Sequence, residues 1–283
     1  MTLRVWVNDR PVGRIERMGK GMSFAYDAGV EPSLALSLSM PVRVASYDQK
    51  FGLLPIFDTN LPEGYLKDAI RKYLAKERGQ VSDYDILETV GGNMIGRVRV
   101  LPDGQAPERR QNITDLDAIL QRKATSELVS EVIARYGLRS GVSGAMPKSL
   151  VSDEDAQRRK TVQTRDYILK FDAPEYPGLS LNEFWCLEAA RAAGCRTVEA
   201  QLGRNGDMLS VRRFDAREDG ERLAFEDAAS LNGLRSEEKY GASMEKALFR
   251  TLQANFGTGP AARAEMAELY RQAITSIALR NGD

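Results

Sequence analysis

The chain has 283 residues, with 42% hydrophobic and 28% charged side chains, enough apolar surface for a folded core and too much for a disordered chain. Lys plus Arg and Asp plus Glu both number 40, which argues against a general nucleic-acid coat, and no run of eighteen apolar residues suggests a membrane span. Histidine is absent and only Cys186 and Cys195 are present, which excludes Ser-His-Asp and Cys-His catalysis, His-ligated metals and a disulfide framework.

The predicted elements follow in order. Leu3 to Asn8 reads as a strand with a turn at Asn8-Asp9, and Val12–Ile15 and Met22–Tyr26 as two more short strands. Leu34 to Val42 alternates apolar and polar residues, which predicts a half-buried strand. The period then changes: Leu66, Ile70, Tyr73 and Leu74 share one helical face between Pro62 and Lys76. A short helix near Tyr84–Val90, a Gly91-Gly92 break and a strand at Ile95–Leu101 complete a small α+β unit.

The turn-forming stretch Pro102 to Gln111 marks a boundary. Helices are expected at Leu116–Arg122 and Glu127–Tyr136, then a Gly/Ser-rich turn from Gly137 to Gly144 that runs into Lys148. Tyr167–Phe171 reads as a buried strand and residues 181–193 as a helix closed by Gly194. Thr197–Leu202 and Met208–Arg213 form a hairpin around Asn205-Gly206-Asp207. Helices over Ser243–Asn255 and Ala261–Leu279 follow, the last with a stripe of Met266, Leu269, Tyr270, Ala273, Ile277 and Leu279. Strands that precede helices, rather than alternate with them, favour an α+β fold.

With no histidine, any chemistry falls to Asp, Glu, Lys and Arg. The Gly-Ser turn can lie over phosphates through its amides, but it lacks the Walker A spacing; alone it reads as a structural turn. Lys170 is sharper. Strand alternation puts it with Ile168 on one face; a lysine aimed inward from a core strand needs an anion, either a carboxylate or a ligand phosphate, and a lysine that snorkels from the strand end fits the sequence as well. Glu183 lies thirteen residues on, at the start of the next helix, where it could pair with Lys170. Ser180-Leu181-Asn182-Glu183 is also a capping box, the role that the local sequence favours, and the two roles compete. Arg212-Arg213-Phe214-Asp215 closes a strand, where a two-lobed kinase presents backbone groups to adenine; a solvated basic strand end is the common alternative. Both cysteines read as small buried hydrophobes.

Several segments occur in one order: Gly-Val-Ser-Gly-Ala-Met-Pro-Lys (141–148), Tyr-Ile-Leu-Lys-Phe (167–171), Asn182 to Leu187, Val211 to Asp215, and Asn281-Gly282-Asp283. Earlier in the chain stand Ala35 to Pro41 and Phe57 to Gly64. The set resembles the HipA family of serine/threonine kinases, the toxins of bacterial HipBA toxin–antitoxin modules. The resemblance covers the whole chain. It implies a two-lobed kinase-like fold: an N-terminal α+β subdomain over 1–103, a kinase-like N-lobe over 104–217 and the start of a helical C-lobe over 218–283.

The resemblance also implies roles. Ser143, Gly144, Ala145, Met146, Pro147 and Lys148 would cover ATP, Lys170 would contact its phosphates, and Arg212, Arg213 and Phe214 would form the adenine hinge. Asp283 would be the catalytic base of a motif that normally reads Asp-x-His-x-Lys-Asn. The sequence stops at that aspartate, so the Mg²⁺ ligands are expected beyond it, with most of the helical C-lobe, and little or no turnover is expected of this chain alone. The serine that family members autophosphorylate falls at Gly141, with Ser140 and Ser143 nearby. The implied setting is cytoplasmic, with a HipB-like antitoxin, a protein substrate of the aminoacyl-tRNA synthetase class and DNA reached only through the antitoxin. The alternative is a non-catalytic binding protein that engages an antitoxin or another kinase chain.

Overall fold

The computed structural model describes residues 2–62, 64–107, 113–136, 160–164, 166–172, 177–241, 251–255 and 257–280. The chain divides into two compact units. The first gathers the N-terminal residues through Arg109, Ser140–Ala145 and Asp215–Ala247; the second takes Arg110–Arg139, Met146–Phe214 and Leu248–Asp283. Each has one antiparallel sheet and its own helices, which is the α+β class that the order of elements predicts.

In the first unit, strands β1 (Thr2–Val7), β2 (Arg10–Met18), β3 (Gly21–Tyr26), β4 (Tyr47–Gln49) and β5 (Val98–Pro102) make a sheet in the order β4-β3-β2-β1-β5. Alternation in β1 sends Leu3, Val5 and Val7 fully into the core, where they join Ile15, Phe24, Phe57, Ile86 and Val100. Three helices, α1 (Pro55–Asp58), α2 (Gly64–Arg78) and α3 (Asp83–Val90), lie between β4 and β5 in sequence. Helix α3 starts with a capping box in which the Ser82 amide donates to Asp85 (2.7 Å).

Leu34–Val42 is not a strand. A 3-10 turn covers Pro32–Leu34, and a tight turn follows in which the Met40 amide donates to the Ser37 carbonyl (3.1 Å). Leu36 and Met40 are buried while Leu38 is 67% exposed, so the apolar residues do not share a face. Side-chain bonds outcompete a ladder here. Ser37 Oγ accepts from the Ser39 amide, and the Glu226 carboxylate accepts from Ser37 Oγ (2.5 Å) and the Leu38 amide (3.1 Å). Tyr26 Oη accepts from the Leu36 amide (2.8 Å) and donates to the Met40 carbonyl (2.7 Å).

Burial is the main influence on two tyrosines of this unit, and it pushes both Tyr26 and Tyr84 up to about 12 from an ordinary value of 10.0. A folded-state value raised above the unfolded one means that the folded state holds the proton more tightly. The resulting stability is full below about pH 10 and is lost as pH rises through about 12. Thermal melts of the first unit should therefore fall across this window, and Tyr26→Phe should reduce the pH slope by about one proton. An unchanged slope in the variant would contradict the assignment.

In the second unit, strands β6 (Lys160–Gln163), β7 (Tyr167–Phe171), β8 (Ala200–Leu202) and β9 (Met208–Arg212) form an antiparallel sheet in the order β6-β7-β9-β8. Helices α4 (Leu116–Leu120) and α5 (Ser126–Tyr136) cover one face, where Ile119, Leu120, Leu128, Val129 and Val132 pack with Val162, Leu169, Phe171 and Met208. Helix α6 (Leu179–Ala192) follows β7. The long helix Pro260–Ala278 meets the chain just after α6: the Arg196 amide donates to Glu268 (2.7 Å) and Arg271 donates to the Gly194 carbonyl (3.1 Å). Residues 251–255 are also helical. Cys195 is buried near Thr275 and Cys186 is half-buried on α6; both are free thiols.

Candidate functional site

Strand β7 positions the central side chain. Its sequence, Tyr-Ile-Leu-Lys-Phe, is rich in residues that fit a half-buried pleat. Leu169 and Phe171 turn into the core beneath α4 and α5, and Ile168 and Lys170 take the opposite face. Lys170 stands opposite Leu209 of β9 in the ladder, and Leu209 is fully buried. An amine that rises from so apolar a surface must find an anion.

The anion in the structure is a carboxylate. Lys170 Nζ donates to Glu183 Oε1 at 2.5 Å, across thirteen residues of sequence, with the two side chains 26% and 27% exposed. A lysine carries three donors, and this bond uses one of them. The pair thus presents a half-buried ammonium, held at one side and able to donate to a second anion.

The capping box expected at Ser180-Leu181-Asn182-Glu183 does not form. The N-cap of α6 is Gly178, whose φ of 84° lies in the left-handed region that glycine tolerates, and Ser180 is inside the helix with its hydroxyl buried and unbonded. The cap comes from the preceding strand instead. Asp172, the residue after β7, accepts from the Gly178 amide (2.6 Å) and the Ser180 amide (2.8 Å). The expected capping box therefore gives way to an aspartate eight residues upstream of Ser180, while Glu183 accepts from the lysine. Sequence reasoning passed over Asp172; its place between a strand and a helix start was the available signal.

The other sequence-predicted residues are placed differently. Arg212 lies opposite Tyr167, three positions along the sheet from Lys170 and on the other face, and binds Glu199 (3.0 Å). Arg213 is buried, with its amide donating to the Asp166 carbonyl (2.8 Å), and Phe214 is half-exposed. The structure brings Lys170 and Glu183 together and leaves these three at the end of β9. Ser143, Gly144, Ala145, Met146, Pro147, Lys148 and Asp283 lie outside the described residues, as do Ser140 and Gly141. Among the described residues no group of three or more His, Cys, Asp or Glu side chains could hold a metal ion. Nor, among them, is any helix long and apolar enough to cross a membrane.

A model of the HipA-like C-terminal domain matches residues 140–283, and a model of the HipA N-terminal domain matches residues 3–101. The chain belongs to the HipA family. Two curated relatives of this HipA-family chain come from Sinorhizobium fredii (strain NBRC 101917 / NGR234). "Putative kinase Y4mE" is 28% identical over 99% of this chain and 71% of its own length; "Putative kinase Y4dM" is 25% identical over 99% and 70%. Among solved structures, the fold resembles a chain of the Shewanella oneidensis MR-1 toxin–antitoxin system HipA, HipB and its operator DNA. The TM-score is 0.60 at 16% identity, over 99% of this chain and 70% of that chain.

Proposed function

We propose that this HipA-family chain is the nucleotide-binding part of a serine/threonine protein kinase toxin, and that Lys170 contacts the phosphates of ATP. The ion pair between Lys170 on β7 and Glu183 on α6 carries this reading, because a strand lysine held by a helix glutamate is how protein kinases direct an ammonium at the α- and β-phosphates. In this reading Glu183 holds the amine in place while its remaining donors meet phosphate oxygens. Residues 143–148 lie over the phosphates, and Arg212, Arg213 and Phe214 sit beside adenine. Asp283 accepts the hydrogen bond of the substrate hydroxyl and orients it. The names of the two curated relatives support kinase chemistry.

The wider setting is proposed on the same footing. The HipA, HipB and operator DNA complex suggests a HipB-like partner for this chain, with DNA reached through that partner. The protein substrate is proposed to be an aminoacyl-tRNA synthetase.

Calorimetry with ATP tests the central assignment. Charge-assisted hydrogen bonds contribute roughly 1.5–3 kcal/mol, so Lys170→Ala should weaken binding at least about tenfold. Equal affinity of the two forms would refute the nucleotide reading and leave a non-catalytic binding protein as the better account.

A further inference from the structure

We propose that Asp172 is the positioning residue of the lysine–glutamate pair: it fastens the start of α6 to the end of β7 and thereby sets Glu183 against Lys170. The nucleotide arm of the test below rests on the reading of Lys170 as a phosphate contact; the geometric claim does not.

Asp172 sits two residues after Lys170 and is itself held. Its amide donates to the Asp207 carbonyl (2.9 Å), in the turn between β8 and β9. Both carboxylate oxygens are then engaged by the first turn of α6, Oδ2 with the Gly178 amide (2.6 Å) and Oδ1 with the Ser180 amide (2.8 Å). The next turn of the same helix bears Glu183. One carboxylate thus links the strand that carries the lysine to the helix that carries its partner, and its charge also suits the positive end of the helix.

The anchor matters because it holds the end of α6 that bears Glu183, whereas the far end is held by Arg191, which donates to the Val198 carbonyl (3.0 Å). Of its residues only Ser180 is buried, while Leu181 is 41% and Trp185 61% exposed. Its N-cap residue, Gly178, has no side chain with which to cap it. A slip of one residue along a helix moves a side chain about 1.5 Å along the axis and about 100° around it. That is enough to break a 2.5 Å contact.

A double-mutant cycle read by ATP calorimetry tests the idea. Asp172→Ala should weaken ATP binding about three- to tenfold, in line with the loss of a helix cap. In a Glu183→Gln background the same substitution should weaken it no further, because its effect passes through the glutamate. Thermal melting should drop by a similar amount in both backgrounds, which separates positioning from stability. An equal loss of affinity in both backgrounds would overturn the proposal. Should Asp172→Ala not fold, Asp172→Asn, which keeps one acceptor oxygen, should give a smaller loss with the same dependence on Glu183.

A second readout needs no nucleotide. The rate at which an N-hydroxysuccinimide ester acylates Lys170, followed by mass spectrometry, should rise in Asp172→Ala to the level seen in Glu183→Gln. An unchanged rate would overturn the proposal. If Lys170→Ala left ATP affinity intact, the nucleotide reading would fall, and the acylation rate would still decide whether Asp172 positions the pair.

Discussion

Asp215→Ala is expected to destabilise the first unit by about 3–5 kcal/mol, the usual loss when one member of a buried charge pair is removed. Asp215 is 1% exposed. Its carboxylate accepts from the Gly96 amide (2.9 Å) and stands 3.6 Å from Arg222 Nη1, on a side chain 7% exposed. Truncation would leave a buried guanidinium without its carboxylate and a buried amide without its acceptor. Gly96 cannot easily move to compensate. Its φ is 80°, and a Cβ there would fall 2.8 Å from Phe225 Cβ, so the turn is already tightly fitted. Asp215→Asn keeps an oxygen for the Gly96 amide and loses only the charge, so it should be milder. Denaturant unfolding followed by the fluorescence of Trp6, on β1 of this unit, with Trp185 replaced by Phe to remove the other tryptophan, would measure both. A loss below about 1 kcal/mol for Asp215→Ala would show that Asp215 contributes no more than an ordinary surface pair.

Local patterns were readable where a single physical signal dominated. Alternation located β7 at Tyr167–Phe171 and placed Lys170 opposite the core face. Periodicity located α2, α3, α5 and the long helix Pro260–Ala278 to within a few residues. The same alternation failed at Leu34–Val42, because Glu226, 189 residues from Ser37, supplies the bonds that bend the segment. The capping box at Ser180 failed for a related reason: its amide is satisfied by Asp172, eight residues upstream and outside the four-residue window that the box reads. The packing of Asp215–Gly241 with the N-terminal sheet is likewise a matter of distant contacts, such as Asp215 with Gly96, Arg222 with Asn8 and Ser236 with Asp58. No period in the sequence announces them. Of the candidate site, strand alternation showed which face carries Lys170 but left an anion partner and a snorkelling side chain equally open, and the choice of Glu183 depended on where α6 begins.

Phe171→Ala should cost about 3–5 kcal/mol of stability in the second unit, in the range for a fully buried aromatic truncated to alanine. Phe171 is 1% exposed and packs in one cluster with residues of α4, α5, β6 and β9. The void would open where Val162, Leu169, Met208 and the helices meet, so little can collapse to fill it. The contrast with the neighbouring residue gives this prediction its value. Lys170 and Phe171 are adjacent on one strand and face opposite ways, one toward Glu183 and the other into the core. Lys170→Ala should therefore reduce nucleotide affinity with a small change in melting temperature, since its ion pair is partly solvated and such pairs contribute little to stability. Phe171→Ala should do the reverse, with a large drop in melting temperature and near-normal affinity in the fraction that remains folded at low temperature. Melting curves with and without ATP, on both variants, separate the two effects. If Phe171→Ala also abolished binding while the unit stayed folded, β7 would have shifted as a whole. The two faces of the strand would then have to be treated as one mechanical element rather than as a core side and a binding side.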